Sequence, residues 1–344
     1  MESRSDKKNL LFVPALLLAL SALLLSVGTG SVWIPPGDIV AILGAKLFSA
    51  PLPAHIAPTI QSVLIDIRIP RALCAFAVGG MLSVTGAVMQ SVLQNPLASS
   101  FTLGVSSGAS LGASIVVALR LTSPVLGAFL LPFAGFGFAF LTMFFVLTLA
   151  ARLDRNVSGV TVILLGMVVS LFMSAMVTLV STLNPEHLSR ILMWQMGSFA
   201  GRRWYHAGVL FAVSFVGLIL LILRHRELDL LSFGDTSARA VGVDVRRNKL
   251  FLLAVSSLIT GCAVCFTGTI GFVDLIVPHA VRRLAGPKMN RLLLLSFLCG
   301  GAFLSLTDTV SRTVLSPREI PVGAVCALMG TPFFMYLYFG RKRR

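Results

Sequence analysis

Few side chains in this sequence have the type and spacing that chemistry needs. Cys262 and Cys265 share a Cys-Ala-Val-Cys spacing suited in other settings to a metal or a redox disulfide. Partner ligands are lacking around them, and Cys74, Cys299 and Cys326 also lie in apolar runs, so all five read as small buried hydrophobes. His187 stands alone and reads as a surface residue, so no metal site is expected. No Gly-x-x-x-x-Gly-Lys-Ser/Thr loop is present to cradle phosphates, so the chain does not hydrolyse nucleotide by itself. A membrane-embedded enzyme would need Asp, His or Cys clustered within its spans, and a proton-coupled secondary transporter would need paired carboxylates there. Neither pattern occurs. Arg68 and Arg71, and further on Arg312, have a recognisable capacity. A planar guanidinium takes a carboxylate through two parallel hydrogen bonds. Arginines at a helix end can equally pin the membrane headgroup interface.

The elements that would hold these residues follow from composition. Of 344 residues, 56% are apolar and 12% are Asp, Glu, Lys or Arg, half the charged share of ~25% usual in soluble domains. Runs free of those four types extend over Asn9 to Gly37, Ala72 to Leu119, Leu121 to Ala151, Asn156 to Pro185, Trp204 to Leu223, Leu250 to Val273, Leu292 to Thr307 and Ile320 to Gly340. A spanning helix takes about 20 residues. The second run therefore holds two, parted by the turn signal Gln94-Asn95-Pro96.

Nine spans result, yet both termini carry cytoplasmic-type charge: Arg4, Lys7 and Lys8 before the first run, Arg341 to Arg344 after the last. Two cytoplasmic ends require an even count. The tenth span is expected at Asp274 to Gly286, where Asp274, Arg282 and Arg283 interrupt the apolar pattern. Arg152, Arg155, the Arg224 to Lys249 loop and the Arg282 to Arg291 loop then fall inside, so the net charge of +15 reflects topology and no nucleic-acid partner is expected. The first run is too long for a signal peptide and lacks a clear cleavage site before Trp33. The expected fold class is all-α: a polytopic protein with ten transmembrane helices, both ends cytoplasmic, in contact with membrane lipid.

Within that frame the polar loop at 228–248 is unusual. Asp235 or Thr236 can cap a short helix carrying Ala238, Arg239, Ala240 and Val241, and Gly242 can end it in the left-handed conformation. Such a helix is either a docking element or a connector lying on lipid. Gly104, Gly108 and Gly112 repeat every fourth position and read as a helix-packing face. Met167, Met173 and Met176 share the fifth span and read as packing or as substrate contacts.

The order of motifs is specific. Arg68-Ile-Pro-Arg71, Gly86-Ala-Val-Met-Gln90, Asn95-Pro-Leu-Ala98 and Leu103-Gly-Val-Ser-Ser-Gly-Ala109 are followed by Gly268-Thr-Ile-Gly-Phe-Val273, Leu275-Ile-Val-Pro-His279, Asp308-Thr-Val-Ser-Arg312, Glu319-Ile-Pro-Val-Gly323 and Gly330-Thr-Pro-Phe-Phe334. From about residue 60 to 340 the chain resembles permease subunits of ABC importers for iron-siderophores, haem and vitamin B12, the FecCD family. The resemblance implies one permease domain over residues 1–344 with the type II ABC importer permease fold. It has cytoplasmic tails at 1–9 and 341–344 and lies in the plasma (inner) membrane of a prokaryote. The implied partners are a second copy or a related permease, two ABC ATPase subunits holding ATP and Mg2+, and a substrate-binding protein; this chain itself needs no cofactor.

By the same resemblance, Gly234, Asp235, Ala238, Arg239, Val241 and Gly242 belong to the ATPase-coupling element, and Arg68, Arg71 and Arg312 receive carboxylates of the binding protein. Met167, Met173 and Met176, with Glu186, His187 and Arg190, line the pathway and outer gate. His279 belongs to a Pro-His turn at the inner end of the eighth span. A ferric siderophore is the first expectation for cargo, with haem, cobalamin or a molybdate-type oxyanion as alternatives. Asp274 departs from the pattern, which has glycine there; an ionisable group near a span is costly, and solvation at the outer interface is expected to relieve it.

Overall fold

The computed structural model describes residues 11–30, 32–48, 51–123 and 126–339. The basic tails with Arg4, Lys7, Lys8 and Arg341 to Arg344 lie outside the described residues. The described chain forms α-helices with short 3-10 turns and no strand. In chain order these are α1 (Phe12–Gly28), α2 (Pro36–Phe48), α3 (Pro58–Val92), α4 (Val105–Ala118), α5 (Leu130–Leu153), α6 (Gly159–Leu183), α7 (Leu188–Gln195), α8 (Trp204–Ile222), α9 (His225–Ser232), α10 (Asp235–Ala240), α11 (Val245–Thr267), α12 (Val273–Ala285), α13 (Met289–Thr313) and α14 (Val322–Phe339).

Six of them, α3, α5, α6, α8, α11 and α13, are long and apolar enough to cross a membrane. α1, α4 and the stretch Val322–Pro332 of α14 are apolar but shorter. A helix does lie where the tenth span is expected, α12, but with 13 residues it is not among those long and apolar enough to cross a membrane, so ten spans are not established. Asp274, Arg282 and Arg283 lower its hydropathy, and Pro278 and His279 sit inside this helix rather than in a turn.

α3 is the centre of the bundle. The most apolar window of α3 is 94% buried, against 22% for α6, and α13, α8, α11 and α12 all pack on it. The reason is residue size. A Cβ on Gly79 would lie 2.2 Å from the Gly300 carbonyl oxygen of α13, and one on Gly300 would lie 2.4 Å from that of Gly79. Only glycine on both sides lets these backbones touch. Pro70 removes one backbone donor from α3, and the preceding Val63–Arg68 segment widens into a π-turn. Gly108 and Gly112 do set α4 against α5, close to the carbonyls of Phe138 and Ala134, whereas Gly104 precedes α4 as its left-handed N-cap.

Around this core, α6 exposes Leu164, Val168, Leu171 and Phe172. In water each would cost about 2 kcal/mol relative to burial. Lipid or another protein must cover such a face.

Candidate functional site

At one end of the bundle, α9 and α10 form a small platform. Gly234 is the N-cap of α10, with φ +110, and no side chain caps the helix. The expected capping by Asp235 or Thr236 is therefore corrected. Asp235 instead faces the bundle, where its carboxylate accepts from Lys249 Nζ at 2.7 Å and from Gln94 Nε2 at 3.1 Å. Lys249 is only 1% exposed and also donates to the Val157 carbonyl at 3.4 Å. Gln94 donates in addition to the Leu231 carbonyl at 3.2 Å, which ties the turn after α3 to α9 and α10 together.

The other end of α10 follows the sequence closely. Gly242 has φ +85. Its N–H donates to the Arg239 carbonyl at 2.9 Å, and the Val243 N–H donates to that of Ala238 at 3.1 Å. This pair of bonds is a Schellman stop, and a β-carbon at position 242 would oppose it. Ala238 is fully buried and anchors the helix, while Phe233 and Val241 are 76% and 66% exposed. Arg239 donates to Asn156 Oδ1 at 2.8 Å, joining α10 to the turn after α5. In that turn Asp154 accepts from the backbone of Asn156 and Ser158 and from the Thr161 hydroxyl. Hydrogen bonds from Ser158 above all hold its carboxyl well below the usual range. The platform is thus rigid from beneath, and its outer side exposes Phe233 and Val241 beside Thr236, Ser237 and Arg239.

Arg68, Arg71 and Arg312 gather at the opposite end, but the picture of three open cations needs revision. Arg68 is buried and donates to the carbonyls of Val27, Gly28 and Val32, clamping the end of α1. Arg71 lies between two carboxylates: Asp308 accepts from Nε at 3.0 Å and Nη2 at 2.8 Å, and Glu319 from Nη1 at 2.7 Å. Arg312 approaches Asp308 at 3.5 Å and donates to Ser26. Of the two carboxylates, Asp308 is fully buried and Glu319 is 40% exposed on its side chain. The arginines are spent within the fold because a buried charge requires a partner.

The segment after Glu319 continues to α7. The Ile320 N–H donates to the Ser311 carbonyl, and the N–H groups of Val322 and Gly323 donate to the carbonyls of Gly197 and Met196, just beyond α7. Glu186 and Arg190 are exposed beside α7. His187, expected at the surface, is 7% exposed, and its Nε2 accepts from Arg120 Nε at 2.8 Å. Met167 is exposed on α6, whereas Met173 and Met176 are half-buried against Leu111, Val177 and Ile191. No group of three His, Cys, Asp or Glu side chains suited to a metal occurs among the described residues.

Asp274 is also corrected: it is fully buried against α3 and the segment before α4, not solvated at an interface. Sequence reasoning gave no part to Lys249, Gln94, Asp308 or Glu319. Gln94 was visible only as a turn residue, and the two carboxylates only as letters within motifs.

The chain matches the FecCD transport family over residues 16–340. It is 39% identical over 298 residues to a cobalamin import system permease protein of Halobacterium salinarum, covering 86% of this chain and 79% of that protein. It is 32% identical over 343 residues to a probable siderophore transport system permease protein of Bacillus subtilis, covering 97% and 96%. A solved metal-chelate type ABC transporter in an inward-facing conformation superposes with a TM-score of 0.81 at 30% identity, covering 96% of this chain and 99% of that one.

Proposed function

The chain belongs to the FecCD transport family, and from that premise we propose that it is the membrane-spanning permease subunit of an ATP-driven importer for metal chelates. The observation that carries this reading is α10, a short helix rigidly backed by Asp235 and Lys249 and flanked by the exposed Phe233 and Val241. Among the described residues nothing covers Phe233 or Val241, and an ATPase subunit holding ATP and Mg2+ would.

In this reading α1, α3, α4, α5, α6, α8, α11, α12, α13 and α14 are the ten spans, with α10 and both termini at the cytoplasmic face. The arginine end is then outside, where a binding protein delivers cargo. Arg71 is the arginine an incoming carboxylate can reach, by competing with the half-exposed Glu319. The apolar face of α6, with Met167, would meet a second permease around a shared pathway, and α7 with Glu186 and Arg190 would stand at its outer gate. Transport proceeds by alternating access: ATP-driven movement of the α10 platforms shifts the packed helices and the gates.

A ferric siderophore is the first choice of cargo, and the siderophore-type relative, which matches nearly the whole chain, supports it. The cobalamin-type relative favours cobalamin as a second reading. Uptake into proteoliposomes containing the permease, its ATPase and its binding protein tests both. Accumulation of a ferric chelate, dependent on ATP and on the binding protein, is expected; uptake driven by an ion gradient without the ATPase would replace this reading with a secondary transporter.

A further inference from the structure

α12 starts just beyond the break after α11 and places Asp274 in its first turn, fully buried against α3. The fit is close: a Cβ on Gly86 of α3 would lie 1.9 Å from the Asp274 carbonyl oxygen. One carboxylate oxygen, Oδ2, accepts from the Ser99 hydroxyl and from the Ser100 N–H at 3.3 Å. The other, Oδ1, has no hydrogen-bond partner within the protein, and neither have Ser100 Oγ and Gln90 Oε1. Gln90 is held beside them, its Nε2 donating to the carbonyls of Asp274 and Leu275 at 3.3 and 3.4 Å. Asp274, Ser100 and Gln90 are all at most 2% exposed.

Three unpartnered oxygens on residues linked at Asp274, Ser100 through the carboxylate and Gln90 through the main-chain carbonyl, are an exception to how proteins satisfy buried polar atoms. The charge is a second exception. No Lys, Arg or His forms an ion pair with Asp274 among the described residues. Arg282, two turns along α12, donates to Ser91 instead. The first turn of α12 favours the anionic carboxylate, but a buried anion still calls for a counter-charge.

The donors are hard oxygens with one negative charge between them. Calcium takes six to eight oxygens, commonly from several carboxylates, and transition metals favour nitrogen or sulfur. A monovalent hard cation matches this set.

We propose that Asp274 Oδ1, Ser100 Oγ and Gln90 Oε1 form a sodium-ion site that joins α12 to α3 and to the segment before α4. The test is thermal unfolding of the full chain in lipid nanodiscs, in sodium chloride and in choline chloride at equal ionic strength. Saturating sodium is expected to raise the midpoint by about 3 °C in the wild type. Asp274→Asn should abolish that rise and melt alike in both salts. Coincident wild-type curves, as a buried water alone would give, overturn the proposal, and so does a sodium-dependent rise that survives in Asp274→Asn. Should the variant fail to fold, retention of radiolabelled sodium by the wild-type chain decides: one ion per chain supports the site, and no retention above a choline background overturns it.

Discussion

At the arginine end, Arg71 is gripped from both sides by Asp308 and Glu319, whereas at the α10 end the pair Lys249 and Asp235 lies beneath a helix flanked by the exposed Phe233 and Val241. Both ends use an ion pair to fix geometry. They differ in what remains open: a half-exposed carboxylate on one side, and on the other two exposed apolar side chains set beside Thr236, Ser237 and Arg239. A charged contact favours a partner that must find its place quickly and leave again, and an apolar one suits a partner that stays. In the proposed importer the arginine end would then serve transient delivery, and the α10 end a standing complex.

The sharpest way to break this comparison is Arg71→Ala. It leaves Asp308 buried with only Arg312 nearby at 3.5 Å, and about 3 kcal/mol of stability should be lost, seen as a lower melting point and poor membrane yield. The double change Arg71→Met with Asp308→Leu should recover only part of that loss, because it removes the orphaned carboxylate but takes from the buried Arg312 its nearby counter-charge. Val241→Asp comes next. It touches no internal contact of α10, so melting should hold while ATPase retention in a pull-down falls about ten-fold, the scale set by losing one buried aliphatic contact. Undiminished retention would remove α10 from the interface.

A smaller effect is expected for Glu319→Gln. Weakening one partner of Arg71 should strengthen capture of the binding protein by about three-fold, the size of a partly exposed ion pair; weaker capture would mean that Glu319 itself makes the contact. Asp154→Asn should be the mildest. Because the folded carboxyl is held below its usual range, its contribution is present above the unfolded carboxylate pKa and is lost as pH falls through the depressed folded value. The wild type should melt slightly above Asp154→Asn at neutral pH, with the gap closing as the solution is acidified.

What the sequence disclosed depended on how far apart the deciding atoms lie. Gly242 was legible because a left-handed helix stop is a local event within a few residues. The turn at Gln94-Asn95-Pro96 was legible for a similar reason, through local turn chemistry. The arginines were legible as a cluster but not as a spent one, since Asp308 is 237 positions from Arg71. His187 became a buried acceptor through Arg120, 67 positions away. Asp235 likewise looked like a cap because a cap is its local option, but Lys249 outbid the helix end. Burial of Asp274 depends on Gly86 in another helix, which no window around residue 274 contains.

α3 has one further consequence. It runs 35 residues as one continuous helix, with the π-turn at Val63–Arg68 inside it, which at 1.5 Å per residue is about 50 Å, well beyond the ~30 Å hydrocarbon core. Near its start Ile65 accepts from Trp204, and just past its end Gln94 grips α9 and α10. A rod of that length pivoting near its middle by about 5° moves each tip by about 2 Å, so in the proposed importer a stroke delivered to α10 would reach the far side without any helix having to melt or refold.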